Sequence, residues 1–91
     1  MVLLHAIVKG RVQGVGYRYF TERTAQKRGL TGWVKNLYSG DVEVGACGTD
    51  EAIRGFIDDL RKGPFLSKVI DIDYTLENTE TDPYDSFDVR F

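Results

Sequence analysis

The amino-acid sequence predicts a single α+β domain in which two helices pack on one face of an antiparallel sheet. The chain has 91 residues, a length typical of one domain. Segments with the apolar spacing of strands and helices follow one another in the order β-α-β-β-α-β, with one further short strand. No linker, repeat or low-complexity segment interrupts residues 1–91, so we expect them to fold as one unit.

The first half of the chain contains three strand segments and one helix segment. Residues 2–12 are rich in branched apolar side chains, which predicts a central strand buried on much of both faces. Residues 17–28 carry apolar and small side chains at helical spacing, and Gly29 is the expected C-terminal cap. Residues 30–37 and 42–47 read as two strands separated by a short turn, which predicts a hairpin.

The second half adds one helix and two strands. Thr49 or Asp50 can cap the helix, and Gly63 followed by Pro64 ends it. Its apolar stripe consists of Ile53, Phe56, Ile57 and Leu60. Residues 69–76 and 84–91 alternate apolar and polar side chains and are separated by a polar loop, which predicts two further strands.

This element order is that of the split βαβ, or ferredoxin-like, sandwich. Two helices can cover the apolar face of such a sheet within about 90 residues. Many unrelated functions use the arrangement, so it does not predict an activity by itself.

The composition and charge of the chain argue against several classes of function. The formal net charge of −2 argues against nucleic-acid binding, which relies on clustered Lys and Arg. A single cysteine, Cys47, cannot form an internal disulfide, and the apolar start reads as a strand and not as a signal peptide. No apolar run approaches the length of a membrane span. We therefore expect a cytoplasmic protein without a membrane partner, and a monomer.

The most informative segment is residues 10–18, with the sequence GRVQGVGYR. A strand leads through a glycine-bearing turn into a helix, so several backbone N–H groups can converge on one point. The helix N-terminus adds unpaired N–H groups and the positive end of its dipole, which together suit a tetrahedral anion. Arg18 stands at the start of this helix, and arginine can bind phosphate bidentately. The same residues also fit an ordinary turn followed by a solvated arginine, and the residues alone leave both interpretations open.

Neither of the best-known nucleotide motifs is present. The glycine spacing of residues 10–16 does not fit the dinucleotide fingerprint, and no Gly-Lys-Ser or Gly-Lys-Thr of a P-loop follows.

The segment GRVQGVGYR closely resembles the signature of the acylphosphatase family, and GWVKN at residues 32–36 resembles the second motif of that family. The segment GDVE at residues 40–43 and the pair Gly63-Pro64 match further family segments in the same order, so the resemblance covers essentially the whole chain. It implies a ferredoxin-like fold and hydrolysis of carboxyl-phosphate anhydrides to carboxylate and inorganic phosphate.

The resemblance also implies roles for individual residues. Arg18 corresponds to the family's phosphate-binding arginine, and Asn36 to the asparagine that orients the attacking water. The phosphate site is expected to comprise Gln13, Gly14, Val15, Gly16, Tyr17 and Arg18. A small acyl phosphate is the expected substrate, phosphate or sulfate a competing anion, and no metal or other cofactor is expected.

Four other candidates have structural interpretations that we favour. His5 lies inside a strand, and Cys47 has no evident base nearby. Asp71 and Asp73 share one face of a strand and suit solvent better than a metal. Trp33 is expected in the core, although an exposed Trp33 beside Asn36 would shape a substrate entrance.

Three alternative functions remain open. An RNA-recognition module shares the element order, but it needs aromatic side chains on its third strand, and residues 41–48 contain none. A regulatory anion sensor would use the same loop, although binding alone would not require Asn36. A domain of a larger maturation protein is the third alternative, and we expect a free-standing enzyme instead.

Overall fold

The computed structural model describes all 91 residues and contains five strands and two helices. Their bounds, in chain order, are β1 Val2–Arg11, α1 Tyr17–Lys27, β2 Thr31–Asn36, β3 Val42–Gly48, α2 Asp50–Lys62, β4 Lys68–Asn78 and β5 Phe87–Arg90. The predicted element order is therefore confirmed, including the short extra strand at the C-terminus.

The five strands form one sheet in the order β4-β1-β3-β2-β5. The predicted hairpin between β2 and β3 is present, and β1, β3, β2 and β4 pair antiparallel. The expectation of an entirely antiparallel sheet is wrong for β5, which pairs parallel with β2 and places Gly32 opposite Phe87. After β4 the chain crosses to the opposite edge of the sheet, and β5 then runs in the same direction as β2.

Both helices cover the same face of the sheet. Helix α1 contacts β2 and β5, whereas α2 contacts β4, β1 and β3. The Thr49 hydroxyl accepts a hydrogen bond from the N–H of Ala52, so Thr49 is the predicted N-cap of α2. The predicted stripe of α2 is buried in the core together with alternate residues of β1, namely Val2, Leu4, Ala6 and Val8. No helix has the length and apolar character needed to cross a membrane.

The face of the sheet away from the helices is open, and this corrects two predictions. Strand β1 is internal, but only one of its faces is buried, because Leu3 and Ile7 are half-buried and His5 is exposed on the open side. Trp33 also lies outside the core, half-buried against Gly45, with the guanidinium of Arg90 4.9 Å from its ring centroid. The contacts with Gly45 on one side and Arg90 on the other shield the Trp33 ring partly from water, although the ring does not lie in the core.

Most of the predicted boundaries shift by one to three residues. Helix α1 has Arg28 as its C-cap, and Gly29 is the residue after the cap. Strand β5 begins at Phe87 because residues 84–86 belong to the polar loop that precedes it.

Candidate active site

A cavity of about 400 Å³ lies at the edge of the sheet where the β1–α1 loop, the end of β2 and the C-terminus meet. Its lining includes Gly14, Gly16, Arg18 and Asn36, so the two predicted catalytic residues face one space. The sheet order brings these residues together although they are far apart in sequence. Strand β2 pairs directly with β5 and is separated from β1 only by β3.

The β1–α1 loop, residues 12–16, presents free backbone N–H groups. Gly14 and Gly16 have φ values of 73° and 79°, in the left-handed region that favours glycine. Gly16 is the N-cap of α1, no side chain caps this helix, and its first turn contains no acidic residue. No backbone N–H of residues 13–19 donates to a backbone carbonyl. The loop and helix start therefore offer a run of unused donors, the feature that suits an anion.

Buried side chains fix this loop to the rest of the protein. Val12 is fully buried, and Val15 packs against the core. The Tyr17 ring is buried, and its hydroxyl donates a 2.7 Å hydrogen bond to the Leu60 carbonyl of α2. Burial raises the pKa of Tyr17, so this hydroxyl stays protonated. Tyr17 can thus offer an anion only its backbone N–H, since its side chain is committed to the core.

Arg18 forms no ion pair within the protein. Its Nη1 donates a 3.4 Å hydrogen bond to the Arg90 carbonyl, and its guanidinium lies 4.7 Å from the centroid of the Phe91 ring. The C-terminal residues therefore hold the guanidinium beside the cavity and leave its charge available to a ligand.

Asn36 carries an unused hydrogen-bond acceptor. It is the last residue of β2, paired with Val42 of β3. Its Oδ1 atom is buried and has no hydrogen-bond partner in the protein. Buried polar atoms are rarely left unpaired. No protein group holds the Asn36 side-chain amide, so the amide can turn toward a partner in the cavity that this residue lines.

Gln13 connects the two parts of the site. Its Nε2 donates hydrogen bonds of 2.7 Å to the Leu37 carbonyl and 2.8 Å to the Asp41 carbonyl. The side chain is therefore turned toward the β2–β3 loop, and Gln13, like Tyr17, can contribute only its backbone N–H to the predicted phosphate site.

Comparison with known proteins identifies the family. The sequence model of the acylphosphatase family matches residues 4–89. The chain belongs to the acylphosphatase family. It is 47% identical over 76 residues to an acylphosphatase of Clostridium beijerinckii, a match that covers 84% of each chain. It is 42% identical to an acylphosphatase of Bacillus licheniformis across 100% of both chains. The chain is accordingly an enzyme, a hydrolase of this family.

The fold agrees with that of a solved relative. The crystal structure of acylphosphatase from Bacillus subtilis superposes with a TM-score of 0.95 at 41% identity, and the match covers 100% of both chains. The ferredoxin-like fold predicted from the sequence is therefore confirmed.

Several cavity residues of this acylphosphatase were not predicted from the sequence. Tyr19 and Glu22 line the cavity from α1. Glu22 lies one helical turn after Arg18, so helical spacing would have suggested it, whereas the spacing gives no such signal for Tyr19, the residue next to Arg18. Val89 and Phe91 line it from the C-terminal segment, and no local pattern places that segment beside β2. A second cavity, of about 530 Å³, shares Asn36 and Phe91 with the first and adds Gln13, Lys35, Leu37 and Tyr38.

The remaining sequence candidates lie outside these cavities. His5 Nε2 is 2.7 Å from Glu43 Oε2 on the open face of the sheet. Cys47 is buried, and burial, with the charge of Asp82, raises the pKa of its thiol. Asp71 is exposed, and Asp73 lies 2.8 Å from Lys9 Nζ in a surface ion pair. No three His, Cys, Asp or Glu side chains gather in a group that could hold a metal ion.

Proposed function

We propose that the enzyme hydrolyses the carboxyl–phosphate bond of small acyl phosphates, with Arg18 and the loop amides binding the phosphoryl group and Asn36 orienting the attacking water. The observation that carries this proposal is that groups suited to bind an anion and a side chain suited to bind water line the same cavity. Free N–H donors and a guanidinium without an ion pair suit the anion, and the side-chain amide of Asn36, which no protein group holds, can turn its Oδ1 toward a water molecule.

Charge is the main obstacle in phosphoryl transfer, because a nucleophile must approach an anionic group. The backbone N–H groups of residues 14–18 and the Arg18 guanidinium would bind the phosphoryl oxygens and neutralise that charge. Preorganised donors of this kind stabilise the transition state without reorganising during the reaction. Arginine also matches two phosphoryl oxygens at once, which fixes the orientation of the group.

Asn36 would place the nucleophile. A water molecule that donates one O–H to Oδ1 keeps a lone pair free to attack phosphorus, in line with the bond that breaks. A new P–O bond forms to the water, and the bond between phosphorus and the carboxyl oxygen breaks. The carboxylate leaves with the bonding electrons, and the proton of the attacking water is released to the phosphate or to solvent. The products are a carboxylate and inorganic phosphate.

This reaction needs little further machinery. A carboxylate is a good leaving group, so no strong general acid has to protonate it. A covalent intermediate is not required either, because positioning and electrostatic stabilisation can supply most of the rate enhancement. We further propose that the enzyme works without a metal ion, as a cytoplasmic monomer, and that phosphate or sulfate competes with the substrate for the loop.

Separate substitutions of the two residues test the proposal. Arg18→Ala should weaken both phosphate binding and turnover, since the guanidinium acts on the phosphoryl oxygens throughout. Arg18→Lys should also be poor because a point charge does not reproduce a bidentate fork. Asn36→Ala should lower turnover by about 10²- to 10³-fold, the usual loss when one aligned polar group is removed. The inhibition constant of phosphate should stay near the wild-type value in Asn36→Ala.

The assay is hydrolysis of benzoyl phosphate with phosphate as competitive inhibitor, and circular dichroism checks folding of each variant. Arg61→Ala, at an exposed position of α2, and Asn78→Ala, at the exposed end of β4, repeat the same chemical changes away from the cavity. If Asn36→Ala kept near-full turnover, the proposed role in placing water would be wrong. If Arg18→Ala still bound phosphate normally, the anion would occupy another site.

A further inference from the structure

The sheet joins the two halves of the active site only as far as Val42, which pairs with Val8 of β1 on one side and with Asn36 of β2 on the other. The ladder between β1 and β3 ends at the pair Val8 and Val42. Beyond it, β1 continues along β4 only, with a bulge between Lys9 and Gly10. No backbone hydrogen bond connects the β1–α1 loop with the β2–β3 loop, residues 37–41. Strand pairing thus fixes Asn36 relative to Val8, but the position of the loop donors relative to Asn36 also depends on contacts beyond the ladders.

The side chain of Gln13 closes this gap. One amide nitrogen, Nε2, donates to two carbonyls, 2.7 Å away at Leu37 and 2.8 Å away at Asp41. Both of its N–H groups are thus used, and these are the only hydrogen bonds between the two loops. The first acceptor belongs to the residue directly after Asn36, and Gln13 itself belongs to the loop that carries the free donors.

We propose that Gln13 is a positioning residue that sets the distance and orientation of Asn36 relative to the bound phosphoryl group. This inference rests on the proposed role of Asn36 in orienting water. Gln13 does not touch the substrate through its side chain. It acts through the β2–β3 loop, so its loss should displace the water and leave the phosphoryl site in place.

The fold does not depend on these two bonds. The Leu37 carbonyl also accepts from the N–H of Gly40, at 3.1 Å, and the Asp41 carbonyl also accepts from the N–H of Leu37, at 2.9 Å. Each carbonyl keeps a partner when the glutamine amide is removed, so the β2–β3 loop stays closed and no buried acceptor is orphaned. A variant at position 13 should consequently fold, with two loops that are each intact but no longer held together.

The primary test is Gln13→Met, which keeps the length of the side chain and removes both donors. Turnover should fall by about 10- to 100-fold, since a displacement of about 1 Å in a reacting group can cost up to 10²-fold. The inhibition constant of phosphate should remain within about twofold of wild type. Gln26→Met is the matched control, because Gln26 is exposed on α1 and its side chain forms no hydrogen bond. If Gln13→Met does not fold, Gln13→Asn serves instead, because its amide is too short to reach both carbonyls.

A double-mutant cycle then shows whether Gln13 acts through Asn36. In the Asn36→Ala background, Gln13→Met should cause no more than about a twofold further loss of turnover, because there is no water-orienting amide left to position. Equal losses in both backgrounds, or a loss of phosphate binding in the single variant, would overturn the inference, as would unchanged turnover in Gln13→Met. The single Asn36→Ala variant separates the two proposals. If it retains turnover, the role of Asn36 fails, whereas a large loss there with a silent Gln13→Met overturns only the role of Gln13.

Discussion

Removing one hydroxyl from the core should measurably destabilise this acylphosphatase. The carbonyl of Leu60 lies near the C-terminal end of α2, and the residue four positions later, which would normally donate to it, is Pro64. Proline has no N–H group, so the helix itself cannot satisfy this carbonyl. The hydroxyl of Tyr17 supplies the missing donor at 2.7 Å in a buried position. Tyr17→Phe keeps the ring and deletes only that donor.

The loss of stability in Tyr17→Phe follows from the burial of the Leu60 carbonyl. Leaving a buried carbonyl without a partner costs about 1 to 3 kcal/mol, more than the net value of an ordinary hydrogen bond. In a domain of this size, each 1 kcal/mol lowers the melting temperature by about 4 to 8 °C. We therefore expect the free energy of unfolding to fall by about 1 to 3 kcal/mol and the melting temperature to fall by at least about 4 °C.

Urea unfolding followed by circular dichroism measures this difference directly. The midpoint should fall while the slope with denaturant stays constant, because the surface exposed on unfolding is unchanged. Tyr38→Phe provides the control, since Tyr38 is fully exposed and its hydroxyl makes no hydrogen bond within the protein. A Tyr17→Phe variant as stable as Tyr38→Phe would refute the argument that the hydroxyl satisfies an otherwise unpaired carbonyl.

Three further predictions concern ligands and pH. Phosphate at about a hundredfold over its dissociation constant should raise the free energy of unfolding by roughly 2.7 kcal/mol; a matching rise with sodium chloride at equal ionic strength would argue against a specific site. Hydrolysis should persist in EDTA, and a loss of activity reversed by a divalent ion would contradict the proposed metal independence. Burial acts to raise the pKa of Asp82, but hydrogen bonds from the Thr31 hydroxyl and the Tyr84 N–H hold it below the ordinary value of 3.8. This carboxylate therefore adds stability above that pH, which is lost as the pH falls through the lower folded pKa. The stability advantage of wild type over Asp82→Asn should shrink in acid unfolding curves as the pH falls through and below 3.8.

Local sequence patterns were sufficient to predict most of the fold. Helical spacing, alternation and, for β1, a run of branched apolar residues indicated every helix and strand, because burial selects apolar residues at the covered positions of each element. Those patterns could not show which side of β1 is covered, since apolar Leu3 and Ile7 on the open face look the same in sequence as core residues. Nor could they place β5 parallel to β2, because that pairing joins Gly32 to Phe87 across more than half of the chain.

Only part of the site was predicted from the sequence, and there is a physical reason why some of its features were predictable and others were not. Glycines before a helix and an arginine at its start are local features that indicate an anion site, and the family resemblance pointed to Asn36. The contacts that arrange these groups are not local. Gln13 reaches carbonyls 24 and 28 residues away, and Arg18 reaches one 72 residues away. Sequence spacing contains no information about such pairs until the sheet order is known.

Stability and catalysis use different contacts in this protein. The core is built mainly from β1, β3 and α2, with one or two buried residues from each of the other elements, and strand ladders and apolar packing fix the backbone there. The catalytic geometry depends in addition on a few side-chain contacts between loops and the chain end, namely those of Gln13 and Arg18. Such contacts bury little apolar area, so they add little to the free energy of unfolding. They nevertheless set positions on which turnover depends steeply. Substitutions at the rim of this cavity should therefore change rate constants far more than melting temperatures, and the reverse should hold for the hydroxyl of Tyr17.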